Sequence, residues 1–212
     1  MANTEKGDVR IVTSETKTSR IGSGLATPIA VQTADELHGC VRRVMRHVGS
    51  TVTIITTRTS QPFGMVATAM MSLSLDPPSL VVAINESASI CNPLCDRGAF
   101  CVNVLSSHDE GVSRRFTQLS GTDRFSAGNW IAEPEGPYAG IPFLKTAQAS
   151  LFCQVTQSMT VSTHRLVVGR IQTVSDRQID DPLLYCDGTY GGFRQNGQGA
   201  AAQLDDRLFV CN

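Results

Sequence analysis

The sequence is poor in charge and in aromatic rings. Asp, Glu, Lys and Arg make up 17% of it, Phe, Trp and Tyr 6%, and there is a single tryptophan. The formal net charge of −1 provides no basic excess of the kind that nucleic acid or an anionic membrane requires. No apolar run approaches the roughly 20 residues of a membrane-spanning helix. Residues 1–30 are polar and carry no apolar leader region, so no secretory signal is expected. Paired metal-ligand spacing is missing too. Cys91, Cys95 and Cys101 lie close together, but they form no C-x-x-C and no histidine stands near them, so no metal site is expected. Gly22-Ser23-Gly24 lacks the third glycine of a dinucleotide fingerprint, and no βαβ pattern follows it. Cysteine itself is not scarce, with seven: Cys40, Cys91, Cys95, Cys101, Cys153, Cys186 and Cys211. Their odd number, and the apolar segments around most of them, imply free buried thiols in a reducing, cytoplasmic compartment.

What is present is enough apolar residue, 41% of 212, for one domain with a sizeable core. The chain is organised around Gly64 to Asn85, GMVATAMMSLSLDPPSLVVAIN, which reads as strand, proline break, strand. Ala67, Ala69, Met71, Leu73 and Leu75 fall on one face at period two and suit a buried core. Thr68, Met70, Ser72 and Ser74 share the other, which is small and hydroxylated. Such a face lets backbone amides approach a flat ligand and adds short-range hydrogen bonds. It equally suits a core hairpin of no special function. Asp76-Pro77-Pro78 ends the ladder, and Ser79 to Asn85 resumes as a strand buried on both faces.

Around this stretch, residues 1–32 and 194–212 read as tails, and 33–193 as the domain. Thr33 with Glu36 forms a capping box for a helix whose Leu37, Val41, Val44, Met45 and Val48 recur at helical spacing. Arg42, Arg43 and Arg46 occupy its other face, chiefly as a solvated surface with partner or phosphate contact as the lesser reading, and Gly49 is the expected C-cap. Thr51 to Thr57 is a β-branched strand. Ser87 and Ser89 precede a short helix from about Asn92 to Arg97, as caps or as an anion site. Ala99 to Leu105 is a strand, and Ser107, with Glu110, caps a helix to Thr117 that carries Arg114, Arg115 and Phe116. The long loop region 118–149 holds Asp123, Phe125 and Trp130 and has the length of a segment that covers a site. Two long strands follow, Ser150 to Val161 and Arg165 to Val174, with His164 at the entrance to the second. A short strand, Leu183 to Tyr185, and a turn at Asp187 to Tyr190 complete the domain. Short consecutive strands with few helices predict a mainly β fold of antiparallel strands.

Taken together and in order, TVTIITT, GMVATAMMSLSLDPPSLVVAIN, GAFCVNVL, SRRF, DRF, HRLVVGRI and PLLYCDGTY resemble the flavin reductase-like family. These are the short-chain NAD(P)H:flavin oxidoreductases that serve two-component monooxygenases. The resemblance implies an FMN-binding split β-barrel, antiparallel and Greek-key-like, working as a homodimer. It implies hydride transfer from NADH or NADPH to FMN or FAD, with reduced flavin passed to a separate monooxygenase. By position, Thr68, Ala69, Met70, Met71 and Ser72 would line the flavin ring, mainly through backbone amides, and Ser74 would continue that wall. Ser87 and Ser89 would approach the ribityl-phosphate end, with Arg115 and Phe116 closing over it. His164 would stand near the nicotinamide as the catalytic residue, with Tyr190 near the same edge. Two departures are visible: Val66 and Met71 stand where relatives often have threonine, and Ser162-Thr163 replaces the usual Gly-Asp before the histidine. A permanently flavin-bound oxidoreductase, or a non-enzymatic flavin- or haem-binding barrel, would suit the same pattern.

Overall fold

A computed structural model of the chain describes residues 33–178 and 181–193, and both expected tails lie outside the described residues. The described residues fall in two units that divide between Gly39 and Cys40. Helix α1 (Ala34–Arg46) begins with the expected capping box. The Glu36 N–H donates to Thr33 Oγ1 at 3.2 Å, and the Thr33 N–H donates to Glu36 Oε2 at 3.1 Å. The helix stops at Arg46 rather than running on to Gly49. Its end is taken up by a tertiary contact, because the Arg46 carbonyl accepts the Asp187 N–H at 2.6 Å. None of its residues is buried, so the apolar stripe predicted for its inner face is exposed.

The body is an antiparallel sheet of seven strands: β2 (Thr53–Arg58), β3 (Pro62–Ala67), β4 (Met70–Leu75), β5 (Pro78–Asn85), β6 (Ala99–Val104), β9 (Ala149–Val161) and β10 (His164–Asp176). Their spatial order is β3-β2-β6-β9-β10-β5-β4. Two smaller sheets join β1 (Ser50–Thr51), β11 (Leu184–Cys186) and β12 (Thr189–Gly191), and β7 (Trp130–Ile131) with β8 (Phe143–Leu144). The expected strand Thr51 to Thr57 is broken at Val52, whose N–H leaves the ladder for the Leu183 carbonyl. Asp187 and Gly188, at φ 48° and 83°, make the two-residue turn between β11 and β12, a site where Asp-Gly is favoured because both residues are left-handed.

The organising stretch is not one strand. It breaks at Thr68-Ala69, and β3 and β4, adjacent in the chain, lie at opposite ends of the seven-strand order. Of the apolar face expected inside, Ala67 is buried but Ala69 is exposed, and Met71, Leu73 and Leu75 are 56%, 45% and 67% exposed. An edge strand explains this, together with a register shift between Ser72 and Ser74 that leaves Leu73 as an extra residue against β5. The partner strand β5 is buried much as its apolar run requires.

Ile55, Leu80, Val82, Ile84, Phe100 and Val167 form the main core, closed at one side by Leu94 of helix α2 (Cys91–Arg97). Asn103, on the face of β6 opposite Phe100 and Val102, is buried and fully used. Its amide donates to the Ile54 carbonyl at 2.9 Å, and its Oδ1 accepts the Leu144 N–H at 2.8 Å and the Ser150 hydroxyl at 3.1 Å. Gly169 sits where a Cβ would lie 2.5 Å from the Phe100 ring. Six cysteines, all but Cys211, are free thiols; Cys101 and Cys153 are buried in the sheet. Burial pushes the Cys153 thiol up to about 12.

The helix expected from Ser107 is a short 3-10 turn, Ser107–Asp109, followed by α3 (Glu110–Gln118). The cap is shifted by one residue from the expected pair: the Asp109 carboxylate accepts from the Ser106 N–H at 3.0 Å and from its hydroxyl at 2.9 Å. Ser107 instead donates its hydroxyl to Asp181. Neither Ser87 nor Ser89 caps α2, whose first turn starts from Ile90 without a side-chain cap. The Ser87 hydroxyl and N–H both donate to Asn85 Oδ1, closing a turn at the end of β5.

Candidate active site

The crossover Thr68-Ala69 is where the sheet opens. Both residues are exposed, and both are spent on turning the chain from β3 into β4. Their carbonyls are used, by the N–H groups of Met70 and Ala83, each at 3.0 Å. Their own N–H groups donate to nothing among the described residues. Two unpaired backbone donors on an exposed crossover are free to bind a ligand acceptor.

Two clefts adjoin this crossover, and a third adjoins the second. The largest, about 650 Å³, is walled by Arg42, Met45 and Arg46 from α1, by Thr68 and Ala69, and by Tyr185. A second, about 370 Å³, shares Thr68, Tyr185 and Gly188 with the first and adds Val66, Arg114 and Tyr190. A third, about 260 Å³, shares Val66 and Thr117 with the second and carries Ser89, Phe116 and Arg124. Shared lining residues set the three clefts in a row, here called the trough, with Thr68 between the first and the second.

Its floor is set by close packing. A Cβ on Gly64 would come within 2.7 Å of the Phe116 ring, so β3 and α3 approach only because that position is glycine. Phe125 meets Phe116 and Trp130 edge-on, and Phe116 and Trp130 pack tilted, all with centroids 5.2 to 5.5 Å apart, so two of the loop residues singled out in the sequence serve as core. Arg124 donates to the Leu119 carbonyl at 2.8 Å and the Gly64 carbonyl at 2.6 Å, which holds its guanidinium in the third cleft. Tyr190 is held by Ser113, hydroxyl to hydroxyl at 3.0 Å, and by the Arg114 guanidinium 4.8 Å above its ring.

A family model described as the flavin reductase-like domain matches residues 45–194. The chain belongs to this family. It is 32% identical over 76% of its length, and 89% of the relative's, to an FMN reductase (NADH) RutF of Pseudomonas syringae. It is 33% identical over 70% of its length to the reductase component of an FADH2-dependent resorcinol hydroxylase of a Rhizobium species, covering 83% of that protein. Among solved structures, the NADH:FAD oxidoreductase SgcE6 of Streptomyces globisporus superposes with a TM-score of 0.69 at 25% identity, over 82% of this chain and 99% of that one. The flavin reductase PheA2 does so with a TM-score of 0.64 at 30% identity, over 74% and 98%.

For a flavin reductase-like chain, the expected residues are only partly gathered. Thr68, Ala69, Ser89, Phe116 and Tyr190 line the trough. Met70 packs against the core from the other side of its strand. Met71 and Ser72 are exposed on β4, and the Ser74 hydroxyl is engaged with the backbone of Asp76. Arg115 is exposed on α3 and outside the three clefts, while Arg124, which the sequence reading passed over inside its DRF motif, lies within one. Arg42 and Arg46, expected chiefly as a solvated face with partner or phosphate contact as the lesser reading, line the first cleft, and Tyr185, which spacing makes only a strand residue, was missed.

His164 opens β10, paired across the sheet with Asn85 and Val161. Its Nδ1 lies 2.9 Å from the Thr163 hydroxyl. Beside it, Arg165 meets Glu86 at 3.2 Å, and Glu86 accepts the Thr160 hydroxyl at 2.8 Å. The Thr160 bond, with Arg165 behind it, holds the Glu86 carboxyl below its usual range. This brace joins the end of β5 to the tip of the β9–β10 hairpin that carries the histidine.

Proposed function

We propose that the trough binds flavin and that the protein is an NAD(P)H-dependent flavin reductase supplying reduced flavin to a separate monooxygenase component. One observation carries this: two unpaired amides, of Thr68 and Ala69, beside the first cleft of the trough. Ala69 and Gly188 are small and would leave room for a flat ring, whose polar edge would accept hydrogen bonds from those amides. Ser89 and Arg124 take the phosphate, over a floor made by Phe116. Flavin, when bound, supplies the hydride-accepting chemistry. The chain binds and orients the ring through Thr68 and Ala69, and it limits water from one side with Val66 and Tyr190. His164, its Nδ1 beside the Thr163 hydroxyl, lines none of the three clefts and would meet the nicotinamide only from the tip of the β9–β10 hairpin, the role the family resemblance implies.

Relatives support both halves of this reading. One is named as the reductase component of a hydroxylase, another as an FMN reductase using NADH. SgcE6 has been crystallised with NAD and FAD fragments. The exposure of Thr68 and Ala69 suits a flavin that enters and leaves as a substrate. Two finer features complete the proposal. The seven-strand sheet closes into a split β-barrel, which is supported by a two-residue link between the strands at its two ends. The chain pairs as a homodimer through α1, whose Leu37, Val41 and Val44 are each between 48% and 60% exposed. No helix among the described residues is long and apolar enough to cross a membrane. The free thiols suit a reducing, cytoplasmic working compartment.

The test is a steady-state assay crossing NADH and NADPH with FMN and FAD. NAD(P)H absorbance falls only when free flavin is present. A protein that leaves it unchanged with every pairing is not a flavin reductase.

A further inference from the structure

The largest cleft has a polarity that the flavin assignment leaves unused. It lies at the end of the trough away from Ser89 and Arg124, and beyond Thr68 its walls are mostly apolar: Met45, Val48, Ala69 and Tyr185. Two arginines enter it, Arg42 and Arg46, four residues apart on one face of α1. Like charges at that spacing disfavour a helix, so their pairing calls for a reason. Arg46 has one. It lies in the last turn, where the helix dipole favours a cation, and its Nε donates to Asp187 Oδ1 at 3.0 Å. Arg42 has neither. It stands a turn earlier, is exposed, and makes no ion pair or side-chain hydrogen bond among the described residues.

An uncompensated guanidinium on a mostly apolar cleft fits an anion carried on an aromatic body. The flavin's own phosphate is assigned to the other end of the trough. The second substrate of the reaction is a dinucleotide with a diphosphate between two aromatic groups. We propose that Arg42 binds the diphosphate of the nicotinamide hydride donor, with Tyr185 and Met45 against its adenosine. This rests on the assignment of the flavin ring to Thr68 and Ala69.

Arg42→Gln removes the charge at an exposed helical position and leaves the fold intact. Against NADH, its KM rises about tenfold, the loss expected for one charge-assisted hydrogen bond, while kcat stays within about twofold. The KM for FMN is unchanged, and Arg42→Lys recovers part of the loss. Reduced nicotinamide riboside, which lacks the diphosphate, is used equally well by both forms. Arg43→Gln, one residue along and outside the cleft, matches the wild type. Equilibrium binding of NADH, followed by its fluorescence, weakens by the same factor in Arg42→Gln. An unchanged NADH KM overturns the proposal, as does a loss confined to FAD, which would place the arginine at the flavin's adenylate. Wild-type protein that binds NADH through Arg42 yet reduces no flavin supports this contact and overturns the reductase reading instead.

Discussion

Single residues set tolerances here that composition does not reveal. Gly169 is the sharpest case, since any side chain would run into Phe100 and the Cβ of Cys153, 2.9 Å away. Gly169→Ala is expected to cost about 1–3 kcal/mol, the usual penalty of overpacking, seen as a lowered urea midpoint with unchanged m-value. The buried thiol beside it has a signature in pH. Cys153 ionises near 9.0 when unfolded but is pushed up to about 12 in the fold. A raised value means the unfolded chain loses its proton first. Stability is therefore intact below pH 9.0 and declines as pH climbs toward about 12. Cys153→Ala should flatten that alkaline decline in a series of melting temperatures, and a limb as steep as the wild type would refute the assignment.

Elements are held by a few cross-links between them. Gly64 lets α3 lie on β3, and through Phe116 it shapes the floor of the trough. Gly64→Ala should push the ring outward and raise the KM for flavin several-fold more than that for NADH; equal changes in both would separate this packing from the flavin site. The brace from Glu86 to Arg165 and Thr160 fixes the hairpin that bears His164. Because the Glu86 carboxyl is held below its usual range, its contribution to folding is full above the ordinary glutamate pKa. It is lost as pH falls through the lower folded value. Glu86→Gln should leave the melting temperature less sensitive to acid than the wild type, as thermal melts taken across the acid range would record.

At the scale of the whole molecule, the unburied stripe on α1 is the largest unspent feature. A helix with every residue open to solvent gains little from packing and is marginal by itself, so covering it with a second copy stabilises both. Val44→Asp should leave the sheet folded, since Val44 is 60% exposed, and convert a dimer to a monomer in light scattering. A wild-type chain that is already monomeric at high concentration would remove the homodimer from the proposal.

The amino-acid order alone determined the capped helix from Thr33, the break at Asp76-Pro77-Pro78, the buried run to Asn85, the two long strands and the Asp-Gly turn. Each is local chemistry: a cap, a missing donor, a run of β-branched residues, a left-handed pair. Motif order was also enough to point to the family that the comparisons then showed. Period-two alternation could not reveal that Met71, Leu73 and Leu75 face outward, because being an edge strand is a property of neighbours. Nor could spacing reveal that Arg42, Tyr185, Thr68 and Arg124 line one trough, since they come from four elements far apart in the chain. Bringing distant residues together is work done by the sheet order, which closes over long loops and leaves no trace in any short window of sequence.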